Sequence, residues 1–229
     1  MTKLRSYGCL ALVAFIVSAC PSYAWAWYDE THVAIAKAAG YYKWFNATGA
    51  DMAKIKAGEI EQHNHYCSQA RGTVVTTQTV LNQADLYDQV DEKGHLYGAI
   101  VASVRDYMKS NQEGKYAEYH LAFCAHYVGD LSQPFHNALY RRFNEQHHLE
   151  VDGIINEEIL DNLDKIRTYP ITITSEEELA WEIARVANLS LKLGYKMETE
   201  NRLITKEEAY AQVSHSASLF KAILKFVGK

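Results

Sequence analysis

The feature that most constrains this chain is a spacing. A histidine and a carboxylate stand four residues apart three times. The pairs are Glu61 and His65 in "EIEQHNH", His126 and Asp130 in "HYVGDLSQPFH", and His148 and Asp152 in "HHLEVD". Four residues is about one helical turn, so both side chains of each pair leave the same face. A lone histidine on an apolar helix face is ordinarily a satisfied core residue. Three such pairs in one chain point instead to helices that carry imidazole and carboxylate to a common cavity. That is a donor set for a divalent metal, zinc above all.

The segment 126–136 adds two details. Gly129 lies between His126 and Asp130 and lets another element come close. Pro134, one of only three prolines, cannot stay in a helix interior without losing a backbone hydrogen bond. It bends or ends the helix and so can turn His136 toward the same cavity.

The rest of the chain is helical in pattern, with about seven helices and no convincing strand. One is expected through "HVAIAKAAGYYKWF", capped by Asp29 or Thr31, and another over 48–66. "RGTVVTTQTV" breaks the pattern and reads as a loop. Apolar residues recur at helical spacing over 92–110 and 114–132. A helix from near Glu145 continues through "NEEILDNLDKIRTY" to Pro170. Ser175 with Glu178, and Thr205 with Glu208, open the last two helices as capping boxes. The expectation is an all-α, single multi-helix domain over 27–229, and the 48% hydrophobic content suffices for its core.

Residues 1–26 read as a signal peptide. "MTKLR" is a positive start, "GCLALVAFIVSAC" is too short to span a bilayer, and "AWA" offers a small-x-small cleavage site before Trp27. Cleavage after Ala24, or at a lipoprotein box ending at Cys20, are the rivals. Export would make the product secreted or periplasmic, or anchored at Cys20. Loss of Lys3 and Arg5 leaves 21 cations against 28 acids, a net charge of −7. That argues against tight, purely electrostatic binding of nucleic acid, though not against weak stacking on a single strand. Two cysteines remain, Cys67 and Cys124, as a disulfide or as buried thiols.

These segments together resemble the zinc-dependent phospholipases C of bacteria. They are equally similar to the single-strand-specific zinc nucleases, which share that fold. "HYVGDLSQPFH" looks like the His-x3-Asp-x5-His signature of the superfamily, with its "GD" and "QP". "HHLEVD" looks like its downstream His-acid pair, "EIEQHNHY" like its upstream pair, and "WYDETH" like its N-terminal Trp and His. The resemblance covers residues 27–152 and implies three zinc ions. Glu61, His65, His126 and Asp130 would hold one. Asp130 would bridge to a second, completed by His32 and the main-chain amine and carbonyl of Trp27. His136, His148 and Asp152 would hold the third, more open one. The family usually has Asp where Glu61 stands, and Glu59 is a rival. His63, His95, His120, His147 and His215 are surface or outer residues on this reading.

The implied activity is zinc-dependent hydrolysis of phosphodiesters, with Glu61 and Asp130 at its catalytic centre. Phospholipase C-type cleavage of phospholipid leads, on the compact interval from His136 to His148 and the acidic charge. A single-strand nuclease follows, on Asp152 and the Trp27-to-His32 spacing. A non-catalytic zinc-binding protein comes third. Tyr66 could stack a base or shape a head-group pocket. The expected partners are substrate phospholipid or single-stranded nucleic acid and, peripherally, membrane lipid. No stable protein partner is expected.

Overall fold

The computed structural model describes residues 27–110 and 115–229. The expected signal peptide, its proposed cleavage sites and Cys20 lie outside the described residues. Eleven α-helices follow one another, and no strand occurs among the described residues. The all-α expectation holds. The helices are α1 (Asp29–Ala38), α2 (Gly49–Ala57), α3 (Glu59–Gln62), α4 (Thr77–Gln83), α5 (Leu96–Lys109) and α6 (Lys115–Ser132), then α7 (Pro134–Asn137), α8 (Arg142–Gly153), α9 (Asn156–Ile159), α10 (Glu176–Glu200) and α11 (Lys206–Phe226).

Several boundaries differ from the sequence pattern, each for a local reason. The helix expected through Phe45 stops at Ala38, and only a short 3-10 turn follows at Trp44–Asn46. The helix expected over 48–66 breaks at Gly58, whose φ of 59° favours glycine. Part of the expected loop is α4, because Thr76 caps it: its hydroxyl accepts from Thr79 N–H in a full capping box. The long helix from Glu145 is instead α8, α9 and a kinked 3-10 stretch ending at Lys165. Thr205 and Glu208 form the expected capping box of α11. Ser175 caps α10 through Glu178 N–H, while the Glu178 carboxylate turns to Thr174.

Two apolar clusters fill the interior. The larger includes Ile100, Leu121, Val128, Leu131, Ile183 and Phe220, and the smaller Trp27, Ile35, Phe135, Val151, Met197 and Val213. The chain passes from one to the other between Leu131 and Phe135, within the segment that carries His126, Asp130 and His136. Cys67 and Cys124 are both buried and free, so no disulfide joins them. Burial pushes the Cys124 thiol up to about 12, which leaves it inert near neutral pH.

Candidate metal centre

Pro134 answers for its place in the sequence. The helix α6 ends at Ser132, and Pro134 opens α7 as its first residue, where a missing N–H costs nothing. The Gln133 side chain caps α7, accepting from Phe135 and His136 N–H. Asn137 Nδ2 donates to the carbonyls of Leu131 and Gln133, which covers the end of α6. The turn so fixed carries His136 back to Asp130, with Nδ1 3.8 Å from Oδ1.

Asp130 is fully buried, and its two oxygens face different imidazoles. Oδ1 lies 3.3 Å from His32 Nε2 and faces His136; Oδ2 lies 2.9 Å from His65 Nδ1 and 3.5 Å from His126 Nε2. Burial works against its charge, but His126 and His136, with His32 beside it and the hydrogen bond to His65, outweigh that. They hold the carboxyl well below its usual range. Gly129 serves close approach, as expected. A Cβ there would fall 2.3 Å from His32 Nδ1, so only glycine lets α1 bring His32 in. The His32 and His126 rings stack at 3.9 Å. Burial, then His32, pushes His126 down to about 3, the neutral form a metal needs.

The acid beside His65 and His126 is Asp51, on α2, which the sequence reading missed. Its Oδ1 is 3.6 Å from His126 Nε2 and 3.9 Å from His65 Nδ1. Burial opposes its charge; His126, Lys54 and His65 overcome this and hold it low. Glu61 meets the other nitrogen of His65, Nε2, at 3.1 Å. Its carboxylate is engaged by Tyr127 OH at 2.7 Å and by Asn64 Nδ2 at 3.3 Å. Nor is the pair helical, since α3 ends at Gln62 and His65 sits in the turn beyond it. In this geometry Glu61 orients His65 and Asp51 stands where the metal-facing acid was expected. Glu59 is exposed and takes no part.

A second group forms from His136, His148 and Asp152. His148 and Asp152 share one face of α8, with Nε2 3.7 Å from Oδ2. Asn144, another residue the sequence reading missed, ties this group to the α7 turn. Its Oδ1 meets His148 Nδ1 at 2.7 Å, and its Nδ2 donates to Phe135 O at 3.0 Å. His136 Nδ1 donates to His65 O at 2.6 Å. The strip 65–69 continues alongside 136–138, with Cys67 N–H on His136 O. Burial drives the Asp152 carboxyl well above its usual range, against the hydrogen bond that Gln133 donates to it.

Trp27 is fully buried, with Nε1 donating to Ser132 Oγ at 3.2 Å. Tyr28 N–H reaches Asp152 O at 3.4 Å. The main chain at 27–28 is thus held between residues near Asp130 and Asp152. His147 pairs with Glu150 on the surface, and His215 with Tyr169. His63 and His95 are buried in an outer network with Asp91 and Asn64, and His120 lies beside Tyr119.

The residues fit a metal on an observation independent of spacing. Buried side-chain atoms without a hydrogen-bond partner include both nitrogens of His32, His126 Nε2, Asp130 Oδ1 and Asp152 Oδ2. Each such atom costs about 1–3 kcal/mol. Five of them gathered at one place is a large debit against a marginal fold. A bound cation turns the same lone pairs into ligands. Buried His/Asp groups of this kind can hold metal ions. Among the described residues they are His32, His126 and Asp130; Asp51, His65 and His126; and His136, His148 and Asp152. No family model matches the chain, and no curated protein matches it.

Proposed function

We propose that this protein is a zinc-dependent phosphoric diester hydrolase with three zinc ions per chain. The observation that carries the reading is Asp130, whose two oxygens face separate imidazoles in a fully buried cluster. A carboxylate so placed can be shared between two cations. The nitrogen and oxygen donors suit zinc, and neither cysteine belongs to the groups. On this reading Asp51, His65, His126 and Asp130 would hold one ion. His32, Asp130 and the main chain of Trp27 would hold the second, and His136, His148 and Asp152 the third.

Bound zinc supplies water of lowered pKa and neutralises charge that develops on phosphoryl oxygens. The chain's own residues keep the site in order. Glu61 accepts from His65 Nε2–H and so presents Nδ1 inward; Ala47 O accepts from His126 Nδ1–H and so presents Nε2. Asp130 keeps its charge, and Asn144 and Gln133 fix the third group.

Phospholipase C-type cleavage of phospholipid remains the leading reading, on the net charge of −7 and the close spacing of His136 and His148. The alternative, a single-strand nuclease, is favoured by Tyr140. This half-exposed ring lies 5.9 Å from His148 and could stack a base. Zinc-loaded protein beginning at Trp27, assayed in parallel on phosphatidylcholine and on single-stranded DNA, tests this. Cleavage of the lipid alone supports the leading reading, and cleavage of DNA alone replaces it. Zinc retained with neither substrate cleaved would favour a non-catalytic zinc protein.

A further inference from the structure

The helix α2 has two unlike faces. It turns Ala50, Asp51 and Lys54 toward the protein. Outward it presents Met52 and Ile55, 64% and 76% exposed and three residues apart on one face, with Lys56 beside them. Just upstream, Tyr42 and Phe45 are each 58% exposed. Large apolar groups at this exposure, close together in the chain, mark a surface that meets something apolar.

The charge of the segment says what kind of surface. From Lys37 to Gly58 there are four lysines and one acid, Asp51; Lys54 turns inward to pair with it at 2.6 Å and Lys43 lies 3.8 Å from Glu118, while Lys37 and Lys56 have no carboxylate partner among the described residues. The whole chain carries a net charge of −5. An acidic protein has thus concentrated cations where it exposes apolar side chains. Two of these lysines sit against aromatic rings, Lys37 over Trp44 and Lys43 over Tyr42, each at 5.1 Å. Cationic heads above apolar and aromatic bodies suit the head-group boundary of an anionic bilayer. A second copy of this acidic chain offers less charge complementarity. No helix among the described residues is long and apolar enough to cross a membrane, so contact would be peripheral.

We propose that the Tyr42–Lys56 segment docks the protein on anionic phospholipid surfaces through Phe45, Met52 and Ile55, with Lys43 and Lys56 over the phosphates. The proposal rests on the phospholipid reading and deepens it: the substrate is met in a bilayer, by the helix whose other face carries Asp51.

Co-sedimentation with vesicles tests docking without turnover, in the presence of a chelator. Vesicles of phosphatidylglycerol and phosphatidylcholine should pull the protein down, and pure phosphatidylcholine should do so far less. The Phe45→Glu/Ile55→Glu variant changes two exposed side chains outside the metal groups. It should partition onto anionic vesicles roughly tenfold less. It should hydrolyse a soluble aryl phosphodiester as the wild type does, and that assay reads the proposed activity separately. Equal partitioning of variant and wild type would overturn the proposal, as would no preference for anionic lipid. So would a wild type that is dimeric without lipid and a variant that is monomeric, because the patch would then be a subunit interface.

Discussion

The two halves of the candidate metal centre hold their carboxylates in opposite ways. Asp130 sits among four imidazoles and keeps its charge without a cation. Asp152 has His148 at 3.7 Å and a hydrogen bond from Gln133, and burial drives it toward the protonated form. The first half therefore keeps Asp130 and Asp51 ionised, while His32, His126 Nε2 and Asp130 Oδ1 still lack hydrogen-bond partners. The second half is neutral with Asp152 protonated, and a cation bound there would have to displace that proton. The same burial thus leaves one carboxylate charged among imidazoles and drives another, 22 residues on, toward the protonated form.

The largest effect should come from Asp130. Asp130→Asn removes a charge that faces His32, His65, His126 and His136. It should strip metal from both groups that the carboxylate joins and abolish activity. It should also destabilise the metal-free protein by on the order of 3–5 kcal/mol, the usual result of breaking a buried charge pair. Thermal unfolding and metal analysis read both. Glu61→Gln should lose roughly 10–100-fold in metal affinity, as expected when the partner of a ligating histidine is changed. Asp51→Asn should cost more metal than Glu61→Gln. The reverse order would return Glu61 to the place of a metal-facing acid.

Within the second half, His148→Ala should lose the third ion while His147→Ala leaves metal and activity unchanged, since His147 pairs with Glu150 and packs on Phe143, outside the His136, His148 and Asp152 group. Equal losses in the two variants would mean that the α8 ligand face is wrongly assigned.

The smallest effect is one of sign, in the metal-free protein. The folded-state pKa of Asp152 lies above its unfolded value of about 3.9. The folded chain therefore binds that proton more tightly, and stability falls as pH rises from that value toward the folded pKa. Asp152→Asn should remove this loss and raise the Tm of the metal-free protein at pH 7 by a few degrees. Asp130 runs the other way: its contribution is present above the unfolded pKa and disappears as acid protonates it. A fall in Tm for metal-free Asp152→Asn would erase the contrast between the halves.

Much of the site was legible in the sequence because helical spacing is geometry. His126 with Asp130 and His148 with Asp152 had to share faces once α6 and α8 formed. Pro134 had to end a helix, and Gly129 marked a close approach. Asp51 was not legible for two physical reasons. It has no histidine one turn away, and it meets His65 only because the chain turns at Gly58. Its local partner is Lys54, at 2.6 Å, so it reads as one half of an ordinary surface pair. Glu61 misled through its interval of four, which reaches His65 without a helix and meets the nitrogen that faces away from Asp130. The helix α4 was hidden in a β-branched run, where only the Thr76 and Thr79 cap reveals it.

The central claim is a zinc centre whose second ion is bound by the free amine of Trp27. The most direct measurement is zinc per chain, by elemental analysis, on protein beginning at Trp27 and on protein with one methionine retained ahead of it. The account predicts about three zinc ions and full phosphodiesterase activity in the first. In the second it predicts about one fewer, with most activity lost, because an amide nitrogen is a far poorer ligand than an amine. Equal zinc and equal activity in the two would contradict the amine ligand. Activity in a preparation free of transition metal would contradict the zinc centre itself.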